Sequence, residues 1–540
     1  MKLGIAYYPE YNSRRDWGTH FEQIRDAGIK RVRMAEFSWS LLQPEKDTYN
    51  WSWLDDSIQT AEEYGIEIIL GTPTACPPIW LVEEFPEVMP VNREGRRSGF
   101  GARQHRCFNS AKYIAYSRNI VEKLGERYGK HPNVAAWQID NELGGEQKRC
   151  YCDNCRKEFQ HFLSEKYHRV EELNERWGNQ FWSQSYQQWS QIPVPMRFAS
   201  DMDMNHHPSL ELEFTRFSSK SIVDFCNMQV DILRKYTDKD ITTNTDTFRF
   251  GDNVNVYELF KSLDIAGMDI YSDSLLEIGF YSDLTRSVKN DKFWMMEFGT
   301  GSPNLYNEME LIHKSGCEWF MPFTFIPFAS GQEQGFKGLV TMTGELEPNY
   351  HVIKQWADNH REEVSKGEFV QPKVGIYYDF DSSWAYWIST WASNIEDKLV
   401  YPKYMVNTVY RSLFEENIAV QFAFTKEKLQ ELQLLILPWQ IIYNAELEAA
   451  LIEFVGNGGK LIVTSDLFRK NTDNVYFRQL PPLYKTLLNW EGNDFINDSS
   501  SQETILLENK YGSGQVWVVK KDCTVEQWKG LLNDVGQATM

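Results

Sequence analysis

A chain of 540 residues exceeds what one hydrophobic core usually supports, so two domains are expected. Its formal charge of -20 at neutral pH sets up a field that repels phosphate backbones and anionic lipid, which argues against nucleic acid and membrane surfaces as partners. Aromatic side chains make up 14% of the residues, including 19 Trp, a content that either a sugar-binding cleft or a large aromatic core would absorb.

The opening MKLGIAYYPE lacks the basic start and long apolar run of a secretory signal, and no uncharged apolar stretch of about 18 residues follows, so a soluble cytoplasmic protein is expected. From residue 3 onward, short β-rich apolar runs alternate with helix-period segments. Eight strands are read: Leu3–Pro9, Ile29–Phe37, Ile66–Pro73, Val134–Glu142, Ile241–Asp246, Ile265–Tyr271, Phe293–Gly299 and Cys317–Phe325. Eight such units predict a (β/α)8 TIM barrel over 1–366. Between the second and third strands, Trp53, Leu54, Ile58, Ala61 and Tyr64 recur at helical spacing, and Gly65 ends the helix. The stretch of about 145–240, between the fourth and fifth strands, is too long for one helix and reads as an insertion into the barrel domain. It carries Cys150, Cys152 and Cys155, a cluster that in a reducing cytosol reads as metal binding before disulfide.

A polar helix at Asn349–Lys366 closes the barrel, and Gly367–Pro372 reads as a linker. Strands near Lys373–Tyr378, Leu432–Leu437 and Lys460–Thr464, alternating with helices such as Glu446–Val455, predict a smaller doubly wound α/β domain over 373–540, flavodoxin-like or amidotransferase-like. Gly456–Gly459 reads as a helix C-cap and turn in preference to a phosphate loop. An amidotransferase activity there would need a Cys at a strand-to-helix elbow with a downstream His, and none is present.

In such a barrel the reactive groups sit at the C-terminal strand ends. Glu36, Glu142, Glu297 and, in the loop after the eighth strand, Glu333 fall there. WQIDNE sets Asn141 and Glu142 at the end of strand four, and FWMME sets Glu297 at the end of strand seven. A carboxyl following large apolar residues is partly desolvated, which raises its pKa toward the range a general acid needs at neutral pH. Strands four and seven face one another across a barrel, so the two carboxylates can flank one bond. Any one of them alone could equally be a salt-bridge partner of Arg33 or Arg103.

YYPEY at Tyr7–Tyr11, VRMAEFSWSLLQPE at Val32–Glu45, GTPTACPPIWL at Gly71–Leu81, ARQHRCFNS at Ala102–Ser110, WQIDNE at Trp137–Glu142 and FWSQSYQQW at Phe181–Trp189 resemble glycoside hydrolase family 42, the bacterial β-galactosidases. The resemblance implies a retaining, exo-acting β-galactosidase with Glu142 as general acid/base and Glu297 as nucleophile. It further implies that Asn141 meets the sugar 2-hydroxyl and that Arg33 and Glu333 touch the outermost glycone subsite. Tyr271, ending the sixth strand, is placed either to hydrogen-bond Glu297 and hold it as a carboxylate or to serve as a buried structural tyrosine. It implies a structural zinc ion on Cys107, Cys150, Cys152 and Cys155, no cofactor for catalysis, and a homotrimer built through the second domain. Two positions depart from the family: Leu305 stands where a Trp is expected and Phe336 where a His is expected, and Phe336 is read as packing beside the glycone. The alternatives are the same mechanism on a β-D-fucoside, α-L-arabinopyranoside or β-glucoside, and a non-catalytic carbohydrate-binding protein.

Overall fold

The computed structural model describes the chain except residues 104–105, 147–148, 198–205, 247–253, 290–291, 361–369, 389–399, 493, 497–502 and 538–540. It divides into two compact units. The first comprises residues 1–155 and 218–369, and the second residues 156–217 and 370–540.

In the first unit, eight parallel strands run β1 (Lys2–Ala6), β2 (Arg31–Met34), β3 (Glu67–Gly71), β4 (Val134–Gln138), β5 (Asp240–Thr242), β6 (Ala266–Ile270), β7 (Phe293–Gly299) and β8 (Cys317–Phe323). They are hydrogen-bonded in the order β5-β4-β3-β2-β1-β8-β7-β6. A parallel bridge between Asp246 and Asp269, with the Asp269 amide donating to the Thr245 carbonyl at 2.9 Å, joins β5 to β6 and closes the barrel. The strands form because nearly continuous apolar runs can be buried on both faces only when helices cover the outside. One such helix, Ser52–Glu63, buries Leu54, Ile58 and Ala61 and stops before Gly65, whose φ of 67° a residue with a Cβ would adopt only at a cost.

Inside the barrel, Ile69, Ala136, Trp294, Met296, Trp319 and Met321 pack into one buried cluster. At the N-terminal strand ends, the Arg31 guanidinium lies 3.9 Å from the Trp319 ring centroid and donates to Glu67 at 2.8 Å. That end is therefore plugged, and the opposite end is left to present functional side chains.

The second unit holds a six-stranded sheet of β9 (Val374–Tyr377), β10 (Val420–Ala423), β11 (Leu434–Leu437), β12 (Lys460–Thr464), β13 (Ile505–Tyr511) and β14 (Gly514–Val519). Its order is β10-β9-β11-β12-β14-β13, parallel throughout except for the β13–β14 hairpin, as a doubly wound domain requires. The Ala445–Gly456 helix ends into the turn at Gly458, φ 106°, as the GNGG spacing predicts.

The predicted insertion at 145–240 contains the helices Asp153–Tyr167, Val170–Trp177 and Pro208–Leu233. Residues 156–217 group with the second sheet and not with the barrel. Phe159 packs edge-on against Phe214 with centroids 5.2 Å apart. Two arginines of this segment also reach partners far along the chain. Arg176 bonds both oxygens of Asp473 at 2.9 and 3.0 Å, and Arg216 bonds both oxygens of Asp381 at 3.0 and 2.6 Å. An amphipathic pattern records that a helix has a buried face, but not which core receives it, so the sequence reading assigned the whole insertion to the barrel. The helix predicted at Asn349–Lys366 is present as Pro348–Asn359; residues 361–366 and the first part of the linker lie outside the described residues.

Candidate active site

The site lies at the C-terminal ends of the barrel strands. Gly71 ends β3, where an added Cβ would come within 2.6 Å of the Glu36 Cβ, so this glycine makes room for the Glu36 carboxylate. Glu36 is fully buried. It accepts from the Tyr8 hydroxyl at 2.7 Å and lies 3.1 Å from the Arg33 Nε.

Glu297 sits on β7, where the register shifts on both sides, between Met268 and Asp269 of β6 and between Met295 and Phe298 of β7. Such irregularities re-aim a side chain, and here they accompany three donors converging on one carboxylate. Arg33 Nη2 donates to Glu297 Oε1 at 2.6 Å, Asn244 Nδ2 to the same oxygen at 3.3 Å, and the Tyr271 hydroxyl to Oε2 at 2.5 Å. The donors fix the carboxylate's orientation.

Glu142 follows β4 and is 8% exposed. Its amide donates to Asn244 Oδ1 at 3.0 Å, and its Oε2 accepts from Asn141 Nδ2 at 3.4 Å and Arg103 Nη2 at 3.2 Å. Burial, followed by the nearby negative charge of Glu297, pushes the Glu142 carboxyl up to about 8. Oxygens of Glu142, Asp269 and Glu297 all lie within 4.8 Å of one another. Asp269 is fully buried, and burial together with both glutamates holds its carboxyl well above the usual range.

Arg33, Asn141, Glu142, Tyr271 and Glu297 thus meet in one network. Arg33 reaches the network from beneath: its side chain is wholly buried, and it also donates to the Tyr8 hydroxyl at 2.9 Å. Glu333 is exposed at the rim, 3.7 Å from Arg103 Nη1. Phe336 packs edge-on to Phe323 and Tyr271, with centroids 5.2 and 6.2 Å away. Leu305 is buried at the start of the Leu305–Lys314 helix.

Sequence reasoning missed Tyr8, Asn244 and Asp269 and read Arg103 and Glu36 only as charges near the mouth. Asp269 carried a signal, since it is the lone charge in the buried strand Ala266–Ile270. Asn244 carried none: its amide lies 2.6 Å from Asp269 Oδ2 and 3.0 Å from Asn141 Oδ1, partners that only a closed barrel brings together.

Cys107, Cys150, Cys152 and Cys155 form a second cluster, with all four sulfurs within 4.8 Å of one another. Cys107 Sγ lies 3.6 Å from Cys152 Sγ and 3.4 Å from Cys155 Sγ. A tetrahedron with metal–sulfur bonds of about 2.3 Å has edges of roughly 3.8 Å, so the four thiols fit around one ion and leave no open position for water. The Val91 amide and the Asn109 side chain donate to Cys150 and Cys155 Sγ at 3.4 and 3.3 Å, as suits sulfurs carrying negative charge.

The sequence profile of glycoside hydrolase family 42, described as β-galactosidase, matches residues 6–334, and that of the β-galactosidase trimerisation domain matches residues 372–491. A β-galactosidase of Clostridium cellulovorans is 30% identical over 97% of this chain and 81% of its own length. One from Haloferax lucentense is 29% identical over 89% of this chain and 75% of its own. The structure of a β-galactosidase from Halorubrum lacusprofundi superposes with a TM-score of 0.90 at 26% identity, covering 99% of this chain and 90% of that one. A profile match spanning the barrel, a buried carboxylate pair after β4 and on β7, and relatives aligned along nearly the whole chain converge on one result: this chain belongs to glycoside hydrolase family 42 and is a glycoside hydrolase.

Proposed function

We propose that the chain is a retaining, exo-acting β-galactosidase in which Glu297 is the nucleophile and Glu142 the general acid/base. The observation that carries this reading is the carboxylate pair after β4 and on β7 with oxygens within 4.8 Å of each other, a proximity that favours direct attack, for which carboxyl groups stand about 5–5.5 Å apart, over the wider spacing of about 6.5–9.5 Å that admits a water between them. Glu297, aligned by Arg33 and Tyr271, attacks the anomeric carbon while Glu142, kept protonated by burial, delivers its proton to the leaving oxygen. The glycosyl–enzyme bond is then broken by water, whose proton returns to Glu142. Asn141 meets the sugar 2-hydroxyl, while Arg33, Glu333, Tyr271 and Phe336 bound the glycone pocket. Zn2+ held by the four cysteines is structural and enters no step. The working form is a cytoplasmic homotrimer acting on terminal β-D-galactosyl residues of oligosaccharides.

Removing either carboxylate tests the roles. Glu297→Ala and Glu142→Ala should each lose nearly all turnover while remaining folded. Azide should restore the first with an inverted glycosyl azide and the second with a retained one, because the anion enters the face its carboxylate vacated. Full activity in either variant rejects the assignment.

Phe336 favours a second, broader glycone range. An apolar ring beside Tyr271 donates no hydrogen bond, whereas a site that bonds a hydroxyl rejects analogues lacking it by about 10⁴–10⁵. The kcat/KM ratio of nitrophenyl β-D-galactoside to the β-D-fucoside or α-L-arabinopyranoside should therefore stay below about 10³. A higher ratio would mean that other donors recognise the 6-hydroxyl.

A further inference from the structure

The chain leaves β4 through a turn in which two residues that are not glycine have left-handed backbone, Asp140 with φ 54° and Glu142 with φ 44°. Such conformations are disfavoured for residues with a side chain and persist only where the surroundings over-determine them. The fastening is concentrated on Asp140. Its carboxylate accepts from Arg106 Nη2 at 2.6 Å, from the Asn141 amide at 2.8 Å and from the Thr74 hydroxyl at 2.5 Å. Its amide donates to the Thr72 hydroxyl at 2.8 Å, and its carbonyl accepts from Gln138 Nε2 at 2.8 Å.

We infer that the Arg106–Asp140 pair is a positioning device for catalysis: it holds the strained turn that aims Asn141 and Glu142, and it acts through the backbone of that turn and not through a bond to Glu142's carboxyl. Both side chains are fully buried. Burying a guanidinium is costly unless its charge is matched at good geometry, and a neutral pair could hold a purely structural turn more cheaply. Arg106 lies with its guanidinium 4.9 Å from the Phe108 centroid, and among the described residues Asp140 is its one carboxylate partner. It is also held from behind, because it precedes Cys107 of the thiol cluster, whose amide donates to the Val88 carbonyl at 2.7 Å. The linkage runs from a fixed loop through one ion pair to the Asn141 amide, and so to the residue that carries the acid. Releasing it should displace Glu142 while leaving Glu297, on β7 with its own donors, in place.

This rests on Glu142 being the acid/base, and it makes a prediction specific to that role. Proton delivery matters for a poor leaving group and hardly at all for dinitrophenolate. For Asp140→Asn, kcat/KM on the methyl glycoside of the sugar turned over fastest should fall about 10- to 100-fold, the scale expected for a catalytic group misplaced by an ångström or less. On the 2,4-dinitrophenyl glycoside it should fall by less than about threefold. Thr74→Val, which removes one bond to Asp140 together with the contact to the Gln229 amide, should show a smaller loss of the same selectivity and provides the measurement should the first variant not fold. Glu142→Ala, run alongside, should show the same selectivity in extreme form. Equal losses on both substrates in the two clamp variants, with Glu142→Ala still selective, would overturn the positioning role alone. Absence of selectivity in Glu142→Ala would overturn the assignment of Glu142 and this inference with it.

Discussion

Glu142 is the residue whose environment decides the most. Burial raises its carboxyl from 4.5 to about 8, so in the proposed mechanism the proton for the leaving group is present below that pH and lost above it. The kcat/KM profile should accordingly show a basic limb near pH 8. The same shift has a stability consequence of determined sign. A carboxyl whose pKa is raised on folding contributes fully below about 4.5, and that contribution is lost as pH rises through about 8. Glu142→Gln removes a charge that burial opposes, so at pH 9 it should melt above the parent, with the advantage gone by pH 4.5. A variant that melts lower at pH 9 would contradict the desolvation argument. Glu142 and Glu297 were legible because a carboxylate closing an apolar run at a strand end is a local signal. Asp140, Asn244 and Arg106 were not legible, because each works through a partner tens of residues distant or through a backbone angle that no residue type announces.

At the scale of the element, all eight strands were readable from apolar runs, but most were read too long. Ile29–Phe37 contracts to Arg31–Met34, and Val134–Glu142 to Val134–Gln138. Hydrophobicity continues past the point where the chain leaves the ladder, and Glu36, Asn141, Glu142 and Tyr271 lie among or just beyond those departing residues, whereas Glu297 stays on its strand. Loops so placed need fastening from outside the barrel. The thiol cluster supplies it by tying the loop at Cys107 to the first turn of the Asp153–Tyr167 helix at Cys155, with sulfurs 3.4 Å apart. A closed four-thiolate zinc site contributes folding energy directly and offers no position for substrate. Chelation should therefore lower the melting temperature more than it lowers the initial rate of protein that remains folded, and metal analysis should return about one zinc per chain. Metal-free protein with unchanged melting would refute the site.

For the whole molecule, the match of residues 372–491 to a trimerisation domain supports the proposed homotrimer, for which light scattering at micromolar concentration should return three times the chain mass. A monomer would remove that assembly. The division into barrel and doubly wound sheet was visible from alternating strands and helices, whereas the allegiance of residues 156–217 was not, because it depends on pairs such as Arg176 with Asp473. That discontinuity gives the molecule a timetable. On the ribosome, residues 156–217 emerge long before 370–540, with 218–369 still to be made between them. At about 5–20 residues per second the delay is on the order of tens of seconds. Throughout it, Arg176 and Arg216 wait for Asp473 and Asp381, the carboxylates that each will hold through two bonds. The last third of the chain thus completes a unit begun near residue 156, and until it arrives that unit stands half-made while the barrel is being synthesised.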